Sequence, residues 1–314
     1  MKVCMLKGGS STEIIDLPIP EINDDEVLIK VKACGVCTSE IYSWIHGSGG
    51  VNGVLGHEAV GIIEAMGKNV KGFSVGDRVT GLIYGSFAEY TKAEYRNVIK
   101  VPDKLEDIEA LGEPLSCLIS GAERTPVHLG DTVAVIGTGF MGLGFLQLMK
   151  LKGAGKIIAI DSRDEGLANA LKFGADRAIF PHEVEDELKV TDWGHMEGGV
   201  NVAVEVSGSQ KGLDLAGDMT AVHGNLSIVG YHQNGLRSVN MELWNWKAIT
   251  VINAHERRNN VYIECMKAGL KLIASGGFNM KDMITHEFSL DEVDKAFKMM
   301  LDKPKGFIKS VIKI

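Results

Sequence analysis

Three separated stretches hold residues whose types could do chemistry: "VKACGVCTSEIY" (31–42), "GVLGHEAVGIIEAMGKNV" (53–70) and "LGEPLSC" (111–117). Cys37, His57, Glu58 and Glu113 offer one thiolate, one imidazole and two carboxylates. That mixture suits a catalytic zinc with an exchangeable position better than a closed structural site. Spacing alone leaves a second reading open, because a histidine beside a glutamate in a glycine-bounded strand also occurs as a surface pair. The Cys34/Cys37 pair admits several roles: a disulfide, a redox switch, half of a zinc knuckle, or one ligand with a bystander. The five cysteines, at 4, 34, 37, 117 and 265, are an odd number scattered through the chain. With no secretory signal, this argues against a disulfide framework and for reduced thiols.

A fourth stretch, "VAVIGTGFMGLG" (133–144), carries Gly137, Gly139 and Gly142 in G-x-G-x-x-G register after an apolar strand and at the opening of a helix. The first glycine permits a tight turn, the second lets a pyrophosphate approach the backbone, and the third lets helix and strand pack closely. Helix N-terminal amides then face the phosphates, which makes Gly137, Gly139, Phe140, Met141 and Gly142 the expected phosphate-binding turn. The next strand, "KIIAID", ends in Asp161, an acid placed to accept hydrogen bonds from the adenosine ribose and to repel a 2′-phosphate. NAD is therefore expected over NADP. Arg163, two residues on, could serve a 2′-phosphate, stack on adenine or sit in solvent.

The elements that must position these residues fall into two rhythms. Residues 1 to about 100 read as strands and turns: "EVLIKVKACGV" (26–36), "HEAVGIIEAMG" (57–67), "DRVTGLIY" (77–84) and "SFAEYTKA" (86–93). From Asp131, short apolar strands alternate with helical stretches: "TVAVIG", "KIIAID", "RAIF", "NVAVEV", "NLSIVG" and "ITVINA". This is the rhythm of a doubly wound, six-stranded parallel sheet with helices on both faces, an α/β Rossmann fold. Two helical segments follow, the second beginning with a Ser289/Glu292 capping pattern. The alternating final strand "GFIKSVIKI" is assigned back to the β-rich part. The expected domains are 1–117, an inserted 118–253, and a return segment 254–314.

With 314 residues and 45% hydrophobic content, the chain can bury two cores. Its 33 Lys and Arg against 41 Asp and Glu, a net charge of -8, give no electrostatic reason to expect nucleic acid or an anionic membrane. Small molecules are the expected partners. The N-terminal residues do not read as a signal peptide, so a cytoplasmic location is the expectation. The uncharged run Thr132–Met149 is long enough to span a bilayer, but its glycines break it as a strand turning into a helix would.

These motifs together resemble the zinc-dependent medium-chain alcohol and polyol dehydrogenases over nearly the whole chain. The Gly-His-Glu signature with its spaced glycines is matched by Gly56, His57, Glu58, Gly61, Gly67 and Val70, with "GDRV" following at Gly76. "EPLS" (113–116) is similar to the sorbitol dehydrogenase branch, where a carboxylate stands in place of the second cysteine of ordinary alcohol dehydrogenases. The resemblance implies a β-rich GroES-like catalytic domain, a zinc held by Cys37, His57, Glu58 and Glu113, and a dimer or tetramer. It makes Cys34 a buried strand residue and Cys117 a competitor of Glu113. Only Thr80–Tyr84 lie where most relatives carry a cysteine-rich lobe, so one catalytic zinc and no structural zinc is expected.

In this family an alcohol binds the metal, loses its proton and yields a hydride to the nicotinamide. Ser39 matches the hydroxyl that passes that proton on. Two positions depart from the pattern: Tyr42 stands where a relay histidine is common, and Glu40 replaces the usual aspartate behind the histidine ligand. His255 and Arg257 follow the sixth strand and are candidate contacts to substrate or cofactor. The remaining histidines, His232 among them, read as structural or exposed. Two other functions stay open: a zinc-free reductase of activated double bonds, and a non-catalytic dinucleotide-binding redox sensor. Retention of Cys37 and His57 counts against both.

Overall fold

The apolar runs after Asp131 form one six-stranded sheet, all parallel, in the order Arg177–Ile179, Lys156–Ile160, Thr132–Ile136, Val200–Glu205, Thr220–Ile228, Thr250–Asn253. In sequence terms this is the order 3-2-1-4-5-6, so the order in which successive strands are laid down reverses between Thr132–Ile136 and Val200–Glu205. Every residue of Val133–Ile136 and Ile157–Ile160 is buried, as strands covered on both faces require. Helices Phe140–Leu151, Asp164–Lys172 and Gln210–Met219 supply the crossovers.

The computed structural model describes residues 1–233 and 235–314. Contacts divide it into Leu118–Glu256, which holds this sheet, and a second unit made of Met1–Cys117 with Arg257–Ile314. The uncharged run of residues 132–149 is split between a strand and a helix, and among the described residues no helix is long and apolar enough to cross a membrane.

The second unit is β-rich. Its large sheet runs Ile284–Ser289, Lys309–Lys313, Glu26–Gly35, Glu58–Met66, Arg78–Gly81, Val98–Lys100, with Tyr90–Glu94 also paired to Glu26–Gly35. The final strand pairs antiparallel with Glu26–Gly35, Ile312 opposite Cys34, as its alternation predicted. Trp44, Phe87 and Phe297 anchor the core beneath, with the Trp44 and Phe297 rings stacked at 5.2 Å.

Several features differ from the sequence expectation, the short edge strand Val98–Lys100 among them. A hairpin, Lys2–Leu6 with Thr12–Asp16, precedes the first expected strand. "SFAEYTKA" is strand only from Tyr90, and Ala88 makes an isolated bridge to Val3. A strand, Ile284–Ser289, separates the two C-terminal helices and pairs parallel with Lys309–Lys313. Its sequence "ITHEFS" is polar at every second position and half-exposed, which hid it behind the stronger helical patterns on either side.

Candidate metal centre and dinucleotide crevice

Cys37 and His57 reach one place because the paired strands Glu26–Gly35 and Glu58–Met66 end side by side, with Gly35 opposite Glu58. A β-carbon at Gly35 would lie 1.9 Å from Glu58 Oε2, so only glycine leaves room for that carboxylate. One ligand atom each from Cys37, His57 and Glu58 lies within 4.8 Å of the others, the one such group of three among the described residues.

His57 is held from behind. Its Nδ1 lies 3.0 Å from Glu40 Oε1, which also accepts the Gly56 N–H at 2.7 Å. With Nδ1 held by Glu40, the other ring nitrogen is left for the Cys37 side, the orientation a metal-binding histidine needs. Burial disfavours the imidazolium, but hydrogen bonds to Cys37 and Glu40 outweigh it and push the His57 pKa well above the usual histidine range. An ion taking the place of that proton would satisfy the same electron-rich surroundings. Glu40 Oε2 is buried with no protein partner.

Glu58 is ion-paired to a buried lysine. Lys309 Nζ lies 3.0 Å from Oε1 and 2.7 Å from Oε2, and donates to the Val36 carbonyl at 3.1 Å. Burial opposes the charge on Lys309, yet Glu58 and then Cys37 hold its pKa above the ordinary lysine value. Nothing in the local sequence around Lys309 signals this pairing across 251 positions.

Glu113 opens the helix Gly112–Arg124 and does not join the group of three. The Cys117 thiol, one turn on, donates to its Oε1 at 3.6 Å. Burial raises the Glu113 pKa to about 7, with His57 pulling the other way. Burial also raises Cys117 and Cys34 far above the usual thiol range, and Cys34 is fully buried in its strand. Tyr262, which sequence reasoning passed over, hydrogen-bonds Cys117 and feels the charge of Glu113. Ser39 Oγ donates to Cys37 Sγ at 3.2 Å. Tyr42 is exposed, its ring 4.3 Å from that of His46.

In the parallel-sheet unit, Gly137 has φ +100, and a β-carbon there would lie 2.8 Å from Ser207 N. One at Gly142 would lie 2.0 Å from the Gly137 carbonyl, whereas one at Gly139 would meet nothing within 4 Å. The first and third glycines are thus demanded by packing. The second faces open space at the start of the helix that begins with Phe140 and Met141, a cradle a side chain would fill. Asp161 Oδ2 accepts from Thr138 N and Oγ1 at 2.8 and 2.7 Å, and Oδ1 accepts from Arg163 N at 3.0 Å. The Arg163 side chain also pairs with Asp161, at 3.4 Å. His255 and Arg257 are exposed.

Residues 23–103 match the alcohol dehydrogenase GroES-like domain, and residues 141–277 match the zinc-binding dehydrogenase domain. Sorbitol dehydrogenase of Bacillus subtilis is 30% identical over 347 aligned positions, covering 99% of this chain and 97% of that protein. The chain belongs to the zinc-dependent medium-chain dehydrogenase family. An L-threonine 3-dehydrogenase of Bacillus subtilis is 29% identical, covering 96% of this chain and 95% of that one. Among solved structures, one from Sinorhizobium meliloti 1021 bound to NADP superimposes with a TM-score of 0.87 at 24% identity, covering 100% of this chain and 99% of that one. That likeness extends to the fold alone. Membership makes the chain an oxidoreductase of the alcohol and polyol type, with zinc and a nicotinamide cofactor implied. The cluster fits zinc on its own chemistry, since it brings together a half-buried cysteine sulfur, an oriented, half-buried imidazole and the buried Glu58 carboxylate.

Proposed function

We propose that this chain moves a hydride between a secondary alcohol, of the polyol, sugar-derived or amino-alcohol class, and NAD, using one catalytic zinc and no structural zinc. The observation that carries this reading is the convergence of Cys37, His57 and Glu58 within 4.8 Å, with His57 turned by Glu40. Relatives named as sorbitol, L-threonine and D-arabitol-phosphate dehydrogenases support the substrate class. The short Thr80–Tyr84 connection, which has no cysteine, supports a single zinc.

When bound, zinc supplies Lewis acidity toward the alcohol hydroxyl, and the oxidised nicotinamide supplies the hydride acceptor. The chain does the rest. Cys37, His57, Glu58 and Glu113 are the proposed ligands, and Glu40 keeps the His57 ring in one tautomer and orientation. Lys309 balances one of the two carboxylates. Ser39 Oγ, exposed and two residues from Cys37, takes up the alcohol proton and passes it to water. Gly137, Gly139, Phe140, Met141 and Gly142 cradle the pyrophosphate. Asp161 accepts the ribose hydroxyls and favours NAD, while Arg163 is held beside it.

The test is a panel of secondary alcohols, polyols and amino alcohols assayed with NAD and with NADP. Reduction of NAD by members of this class, faster than reduction of NADP, is expected. Reduction of neither cofactor by any alcohol would refute the reading, and a preference for NADP would refute the assignment of Asp161.

A further inference from the structure

The carboxyl edge of the parallel sheet carries a polar relay, built on one buried carboxylate, that the reaction described above does not use. Glu205 ends the strand Val200–Glu205 and is 0% exposed. Its Oε1 accepts from Ser207 N at 2.8 Å, Ser207 Oγ at 2.5 Å and Gly208 N at 3.0 Å. Its Oε2 lies 2.8 Å from His232 Nε2. The other ring nitrogen, Nδ1, lies 3.1 Å from Arg237 Nε. A guanidinium only donates, so Nδ1 is the acceptor and Nε2 carries the proton that Glu205 receives. Arg237 spends further N–H groups on the Gln233 carbonyl at 2.9 Å and the Gly208 carbonyl at 3.3 Å.

The relay ties together the loops after the fourth and fifth strands, and these press on the loop after the first. A β-carbon at Gly137 would meet Ser207 N at 2.8 Å, and one at Gly230 would meet Gly208 N at 2.5 Å. Ligands of open α/β sheets sit outside the carboxyl ends at the switch point, here between Thr132–Ile136 and Val200–Glu205. Asp161 marks the adenosine half on the first three strands. The wall over the fourth and fifth strands, residues 207–208 and 229–233, therefore belongs to the nicotinamide half.

We propose that Glu205, His232 and Arg237 are positioning residues that preorganise the nicotinamide half of the crevice. The inference rests on the dinucleotide-binding part of the proposed function. A carboxylate sealed in protein is costly unless every lone pair is used, and a fully used network fixes one geometry. Here that geometry is the placement of Ser207 and Gly208 against the first fingerprint glycine. Replacing the His232 side chain removes the N–H donor to Glu205 Oε2 and uncouples the two loops, while leaving Asp161 and Thr138 untouched.

The experiment compares wild type, His232→Ala and His232→Gln, the last restoring an N–H donor toward Glu205. Fluorescence of the reduced dinucleotide, NADH or NADPH as the wild type prefers, reports the nicotinamide environment. Calorimetry with AMP, or 2′,5′-ADP for an NADPH binder, reports the adenosine half and confirms folding. His232→Ala is expected to weaken dinucleotide binding about tenfold and to reduce the fluorescence enhancement, with adenosine-half binding within about twofold of wild type. His232→Gln is expected to recover most of the loss. Unchanged dinucleotide binding in His232→Ala, or equal weakening of both ligands, overturns the relay while leaving the proposed function standing. A wild type that binds neither ligand overturns both.

Discussion

Lys309 in the β-rich unit and Lys247 in the parallel-sheet unit are both buried, at 6% and 0% exposure, but their surroundings differ in kind. Lys309 meets a carboxylate with both oxygens in reach, and its pKa stays above the lysine norm. Lys247 hydrogen-bonds backbone carbonyls, those of Gly217 at 2.6 Å, Thr220 at 2.8 Å, Val190 at 3.1 Å and Asp218 at 3.4 Å, and burial lowers its pKa to about 8 against the opposing charge of Asp218. It closes the end of the helix Gln210–Met219, where carbonyls lack partners. One ammonium balances charge at a reactive cluster. The other satisfies a fold.

The comparison is most sharply broken by Lys309→Met. Without zinc, the variant leaves Glu58 buried and unpaired, at a cost of about 4 kcal/mol. An ion in the cluster takes over part of the lysine's role, so the gap in Tm between zinc-loaded and zinc-free protein should widen beyond that of wild type. An unchanged gap would separate Lys309 from the metal site. Next in size is Glu40→Gln, which removes the charge behind His57 and should lower zinc affinity about 10- to 100-fold in competition with a chelator. Equal affinity would mean that Glu40 does not set the ligand's basicity.

Lys247→Met should cost about 2 kcal/mol through unsatisfied carbonyls, equally with and without zinc, and leave kcat unchanged. It also carries a pH signature. With a folded pKa of about 8 against an ordinary 10.5, the folded chain binds fewer protons than the unfolded chain between those values. Stability therefore rises with pH across that window in the wild type, and denaturant titrations should find this slope missing in the variant.

Much of the fold was legible because its signals are local. The six apolar strands and the Gly137 turn each declare themselves within a dozen residues, and the capping box of Ser289 and Glu292 does so within four. The strand Ile284–Ser289 did not, since its pairing with Lys309–Lys313 replaces any apolar pattern of its own. At the site, family register pointed to Cys37, His57, Glu58 and Glu113. The lysine that pairs Glu58, the tyrosine beside Cys117 and the Glu205 relay stayed hidden because each depends on partners far away in sequence. Lys309 reads as one more polar position in an alternating strand until its neighbour at 58 is known.

The most direct test is metal analysis of protein purified without added zinc, run beside the Cys37→Ser variant and paired with NAD-linked alcohol turnover. The account predicts one zinc per wild-type chain, with metal and turnover both lost on thiolate removal. A wild type free of zinc, a second tightly held ion, or full turnover by the serine variant would contradict it.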